Sequence, residues 1–200
     1  MSEIAVFAKA PVPGYAKTRL IPRLGAEGAA KLQARLIDHT LRTAAAAGLG
    51  PVTLWGAPDT DDPLLKAAAL RTGARLVPQP EGDLGARMLA AFAAAEGPLV
   101  LIGTDSPCLT PRDLRDAAAA LATGADAVIA PAEDGGYALI AAARLWPTFF
   151  ADMPWSTAEV AEETRRRARK AGLTLVSLRT VWDVDTPADH ARLEREGLLG

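Results

Sequence analysis

The stretch "PLVLIGTDSPCLTPRDLRDAAAALATG", Pro98–Gly124, contains a strand, a turn and a helix in one reading. Leu99–Ile102 is a short apolar run bounded by Pro98 and Gly103, the pattern of a strand buried on both faces. Thr110 followed by Pro111, with Asp113 at the third helical position, is a capped helix start, and helical spacing then runs to Ala122. A buried strand leading directly into a capped helix is the unit of a parallel sheet covered by helices.

The same unit recurs along the 200-residue chain. Strands are expected at Ile4–Ala8, Val52–Trp55, Arg75–Val77, Ala127–Ala130 and Leu173–Leu178. Helices are expected at Ala26–Ala47, Pro63–Thr72, Leu84–Ala95, Thr157–Ala171 and Pro187–Arg195. Thr186-Pro187 repeats the cap of Thr110-Pro111, and Ser156 with Glu159 has capping-box spacing. "GGYALIAAA", from Gly135, follows a strand with no room for a helix, which implies an antiparallel excursion. The expected architecture is one α/β domain over residues 1–200, a mainly parallel mixed sheet with helices on both faces.

Composition narrows the function. A net charge of -2 excludes an overall basic surface of the kind that drives nucleic-acid binding. The arginine run Thr164–Lys170 reads as a solvated helix end, where cations suit the macrodipole. One cysteine, Cys108, leaves no intramolecular disulfide and no cysteine-rich zinc motif. No apolar run approaches the roughly 20 residues that span a bilayer, and the opening residues lack a signal-peptide pattern. These features describe a cytoplasmic protein without a membrane or nucleic-acid partner.

In open α/β sheets ligands bind beyond the carboxyl ends of the strands. Four polar clusters fall there: Lys9–Arg19 after the first strand, Gly103–Pro107 after the fourth, Glu133–Gly136 after the fifth, and Trp182–Pro187 before the last helix. The first, within "FAKAPVPGYAKTRL", is stiffened by Pro11 and Pro13 and holds Lys9, Gly14, Lys17 and Arg19. It is not a P-loop, because Ala16 stands where the glycine before Lys17-Thr18 must be. A dinucleotide fingerprint also fails, since Gly14 is its only glycine. Cations beside a helix start suit phosphates, against the alternative of an ordinary basic surface loop. Asp105, at a strand end, is placed to ligate Mg²⁺ on phosphates, or else to cap the turn before Pro107. Asp183 and Asp185, spaced by two on an extended segment, face one side and can share that cation. Gly82 and Gly85 in "QPEGDLGARM" allow close approach of a nucleobase or simply a glycine-rich helix entry. Asp134, Gly135, Gly136 and Tyr137 could hold an acceptor or form a hairpin turn.

Five blocks in order, "FAKAPVPGYAKTRL", "IGTDSPCL", "DGGYALIA", "PWST" and "DVDTPADH", resemble the small bacterial GT-A-fold transferases known as arsenosugar-biosynthesis or radical-SAM/selenodomain-associated glycosyltransferases, within the nucleotide-diphospho-sugar transferase superfamily. They also resemble the phospholactate guanylyltransferases. The resemblance implies a GT-A-like, Rossmann-like domain, Mg²⁺ or Mn²⁺, phosphate contacts by Lys17 and Arg19, a metal on Asp105, and Asp183 and Asp185 in the closing acidic motif. It implies glycosyl transfer from a nucleotide sugar to a small acceptor. The alternative is nucleotidyl transfer from a nucleoside triphosphate to a phosphorylated acceptor, and a third reading is a nucleotide-binding module without catalysis. Asp105 stands in Thr-Asp-Ser, not in the Asp-x-Asp of many glycosyltransferases.

Overall fold

In a computed structural model that describes residues 1–199, seven strands form one sheet. They are β1 (Glu3–Lys9), β2 (Val52–Ala57), β3 (Arg75–Pro78), β4 (Leu99–Gly103), β5 (Ala127–Pro131), β6 (Tyr137–Ala142) and β7 (Leu175–Ser177). Six helices alternate with them: α1 (Ile21–Ala47), α2 (Pro63–Thr72), α3 (Leu84–Ala94), α4 (Pro111–Ala122), α5 (Val160–Ala171) and α6 (Pro187–Glu196). The strand order is β3-β2-β1-β4-β6-β5-β7; β6 runs antiparallel to β4 and β5, and the other pairings are parallel. This is the expected α/β fold with the expected excursion at β6.

Alternation along the strands builds the layers. Ile4, Val6, Val100 and Ile102 pack against Ile37 and Leu41 of α1, Leu65 of α2 and Leu114 of α4. Ala5, Phe7, Leu99 and Leu101 face the other way, toward Met88 and Phe92 of α3 and Ala161 and Ala168 of α5. Leu114 is fully buried, so Leu114→Ala would cost about 2–5 kcal/mol by cavity formation. No helix among the described residues is long and apolar enough to cross a membrane.

Both Thr-Pro starts form complete capping boxes, Thr110 with Asp113 and Thr186 with Asp189. Two expectations need correction. The regular course of α1 does begin near Ala26, but a helical turn precedes it across a break at Gly25 (φ 69°). The Ser156–Glu159 capping box does not form. Ser156 adopts φ 65°, Thr157 Oγ1 donates to the Pro154 carbonyl, and α5 starts only at Val160. The Glu159 amide, which a Ser156 cap would have served, donates to Thr157 Oγ1 at 3.4 Å, and the Ala161 amide in the first turn of α5 donates to the Gly135 carbonyl at 2.9 Å.

Candidate active site

The polar clusters converge at the carboxyl ends of β1, β4 and β5. The β1–α1 loop folds tightly: the amides of Tyr15 and Ala16 both donate to the Val12 carbonyl at 3.0 Å, Gly14 takes φ 80°, and Ala16 is fully buried. Lys17 follows in the left-handed region (φ 49°). Only 4% of its side chain is exposed. Its ammonium donates to Asp105 Oδ1 at 2.6 Å and to the Val184 carbonyl at 2.6 Å. Arg19 pairs with Asp185 at the rim, where both are exposed.

The acids come from two segments zipped together, since the Val184 amide donates to the Asp105 carbonyl at 2.8 Å. Buried Val184 anchors the closing segment in a cluster with Leu20, Leu36, Trp182 and Leu193. Asp183 accepts from the Ser106 hydroxyl. Its carboxyl is pushed up to about 6 by burial, against the Ser106 hydrogen bond, with the charges of Asp105 and Asp134 adding to the rise and Lys17 opposing it. Asp134 caps its own turn, accepting from the Gly136 amide at 2.9 Å. Gly135 (φ 90°) is required there, because a Cβ would overlap the Ala158 backbone.

The sequence-based candidates thus divide. Lys17, Arg19, Asp105, Asp183 and Asp185 are brought together, with Asp134 near enough to act on Asp183 through its charge. The expectation that Lys17 and Arg19 face phosphates meets a different arrangement: both cations are paired with the acids themselves. Lys9 instead lies over the Tyr15 ring, 3.9 Å from its centroid. The close approach at Gly85 is to the protein, since a Cβ would lie 2.6 Å from the Phe150 carbonyl oxygen and 2.8 Å from Trp155 Nε1. Gly82 (φ 112°) shapes the loop before α3, where its carbonyl accepts from Arg87 at 3.0 Å. The Tyr137 hydroxyl is buried with no hydrogen-bond partner among the described residues, and burial drives its pKa upward, so it does not present a polar tip to an acceptor.

Several supporting residues escaped the sequence reading. Buried Gln33 reaches from α1 to the Lys9 carbonyl (3.2 Å) and Thr104 Oγ1 (3.3 Å), tying the ends of β1 and β4. Gln79 donates to the Ala8 and Trp55 carbonyls, at 3.3 and 2.9 Å. Arg167, inside the run read as a solvated helix end, is a clamp: it bonds the carbonyls of Thr148, Ala151 and Asp152 while Glu163 holds it at 2.6 Å. Polar residues that reach distant backbone carbonyls have no periodic signature; the arginine run itself was visible, but not the loop it holds.

No three His, Cys, Asp or Glu side chains form a ready-made metal nest among the described residues. The carboxylates nevertheless suit a divalent cation. Asp105 and Asp183 are oxygen donors on adjoining segments, and Asp183, raised by burial with the charge of Asp105 adding to the rise, is a carboxylate whose charged form a cation would favour. A cavity of about 540 Å³ lies elsewhere, lined by Glu3, Pro51, Thr53, Arg75 and Gly97 near the amino ends of the strands, and it contains none of these acids.

Residues 40–157 match the family model described as "Uncharacterized protein conserved in bacteria (DUF2064)". A phosphoenolpyruvate guanylyltransferase of Thermomonospora curvata is 38% identical over 136 residues, covering 65% of this chain and 58% of the relative, so the match spans little more than half of that protein. Among solved structures, a candidate nucleotide-diphospho-sugar transferase from Desulfovibrio desulfuricans G20 aligns with TM-score 0.82 and 28% identity, over 99% of this chain and 96% of that one. A nucleotidyl transferase from Methanothermobacter thermautotroptrophicus aligns with TM-score 0.70 and 20% identity, over 100% and 98%, and shares the fold.

Proposed function

The chain belongs to the bacterial DUF2064 family, and we propose that residues 1–200 act as one divalent-metal-dependent transferase domain that uses an activated nucleotide. The observation behind this reading is the Lys17–Asp105 contact at 2.6 Å, which puts a phosphate-type cation and a metal-type carboxylate at one sheet edge. Asp105 and Asp183 would hold Mg²⁺ or Mn²⁺, with Asp185 at the rim. The ion, when bound, supplies positive charge to phosphate oxygens.

The preferred reaction is nucleotidyl transfer from a nucleoside triphosphate to a small phosphorylated acceptor, releasing pyrophosphate. It is supported by the guanylyltransferase relative and by acids drawn from two segments rather than from one Asp-x-Asp. Lys17, as a point charge, and Arg19, with its planar fork, would neutralise charge accumulating on the departing phosphate oxygens. Asp134, whose charge reaches Asp183 and which the Gly135–Gly136 turn holds in place, would stand on the side where an acceptor enters. Glycosyl transfer is the second reading, favoured by the likeness to the Desulfovibrio protein. The arsenosugar association implied by the motif resemblance has no counterpart in the relatives named above. With one cysteine, the protein suits the reducing cytoplasm.

Product analysis tests the reading. Nucleoside triphosphates with phosphorylated small acids and Mg²⁺ should yield pyrophosphate. A nucleoside diphosphate released from a nucleotide sugar would instead select glycosyl transfer, and binding without either product would leave a nucleotide-binding module.

A further inference from the structure

The ammonium of Lys17 is enclosed by oxygens of the two acid-bearing segments, Asp105 Oδ1 and the Val184 carbonyl, each at 2.6 Å. Its side chain is almost wholly shielded. The residue keeps a left-handed backbone although it is not glycine, a conformation that persists only where the surroundings enforce it. Buried Ala16 and Leu20 flank it and fix the loop. Arg19 repeats the arrangement with Asp185 at the rim. The two loop cations are therefore counter-ions of the acids.

From this we infer that Lys17 is a resident counter-ion at the metal position, and that a divalent cation and a polyphosphate load the site by exchanging partners with it. The inference rests on the transferase reading above and concerns the regulation of that same site. A divalent cation arriving alone meets an ammonium already on Asp105. A polyphosphate arriving alone must draw Lys17 from Asp105 and leave that carboxylate beside Asp183 and Asp134 without a cation. Together, the metal takes the acids and the phosphates take the cations, so neither the shielded Lys17 ammonium nor the half-exposed Asp105 carboxylate loses a partner. The lysine stem is long and flexible enough to change partner without movement of the strands. The two ligands are then coupled, and the coupling is the same measured from either side.

Two probes isolate this from turnover: Mn²⁺ alone, followed by electron paramagnetic resonance, and inorganic tripolyphosphate, followed by calorimetry. Lys17→Met should bind Mn²⁺ alone roughly tenfold or more tightly than the wild type, within the about 5–150-fold span of such couplings. It should also bind tripolyphosphate more weakly, and the Mn²⁺ gain should vanish in Lys17→Met/Asp105→Asn. Should Lys17→Met fail to fold, Asp105→Asn gives the converse readout. In EDTA it should bind tripolyphosphate more tightly than either the wild type or Asp134→Asn, which removes a nearby charge paired with no cation among the described residues. Two results would overturn the exchange while leaving the metal assignment intact: Mn²⁺ affinity unchanged in Lys17→Met but abolished by Asp105→Asn, or equal tripolyphosphate gains in Asp105→Asn and Asp134→Asn. If the wild type binds no Mn²⁺ even with tripolyphosphate, the transferase reading fails, and the exchange with it.

Discussion

Asp113 and Asp183 are both acids largely withdrawn from water, and their surroundings treat them oppositely. Asp113 receives Arg179 on both oxygens, at 2.8 and 2.7 Å, and the Thr110 amide and hydroxyl at 2.8 and 2.7 Å. Burial raises its pKa, but the hydrogen bonds from Arg179 and Thr110 prevail and hold the carboxyl below its ordinary range. Asp183 receives the Ser106 hydroxyl and stands near two further carboxylates, and it is pushed up to about 6. The first acid is saturated with donors and serves the fold. The second receives the Ser106 hydroxyl, an arrangement consistent with the divalent cation proposed above.

The largest effect expected from this contrast is catalytic. Asp105→Asn should lower turnover by roughly 100-fold or more, in line with the loss of one preorganised electrostatic group, while the melting temperature stays near that of the wild type. Steady-state rates on protein checked by circular dichroism decide it. Loss of fold in this variant would move Asp105 into the class of Asp113.

Asp113→Asn should do the reverse. It strands Arg179 and weakens the α4 cap, so stability should fall by about 1–3 kcal/mol while activity per folded molecule is retained. Urea unfolding with parallel rate measurements separates the two effects. A smaller change is expected for Arg19→Ala, whose pair with Asp185 is exposed: tripolyphosphate binding should weaken by about 1 kcal/mol. Unchanged affinity in calorimetry would return Arg19 to the ordinary surface.

The mildest prediction concerns pH. Because the folded pKa of Asp113 is depressed, its stabilisation is complete above the unfolded carboxylate pKa and is lost as pH falls through the lower folded value. Melting curves across the acid range should therefore be shallower for Asp113→Asn than for the wild type. Parallel curves would mean that Arg179 and Thr110 do not set this acid's protonation.

The sequence showed the layers because runs such as Leu99–Ile102 are apolar throughout and end at Gly or Pro, leaving few alternatives to a buried strand. It showed the acids because Asp105 follows a strand end and Asp183 and Asp185 lead into the capped start of the last helix. It did not show how the charges pair. The contact of Lys17 with Asp105 spans 88 residues and depends on one left-handed backbone angle that no spacing encodes. Arg167 resembled its neighbours Arg165 and Arg166, and only the fold of the 148–152 segment makes it a clamp. Ser156 and Glu159 had cap spacing, but Ser156 takes a left-handed backbone and the Glu159 amide donates to Thr157 Oγ1 at 3.4 Å instead.

The most direct measurement is the thermal shift given by a nucleoside triphosphate and Mg²⁺ together, on the wild type and on Asp105→Asn. At a hundredfold excess over Kd a ligand specific for the folded state adds about 2.7 kcal/mol, which for a chain of this size is a rise of roughly 5–10 °C. The account predicts that rise in the wild type only with both ligands, and in Asp105→Asn a shift that no longer depends on Mg²⁺, because the freed Lys17 holds the triphosphate without the metal. An equal, metal-dependent rise in both proteins would contradict it.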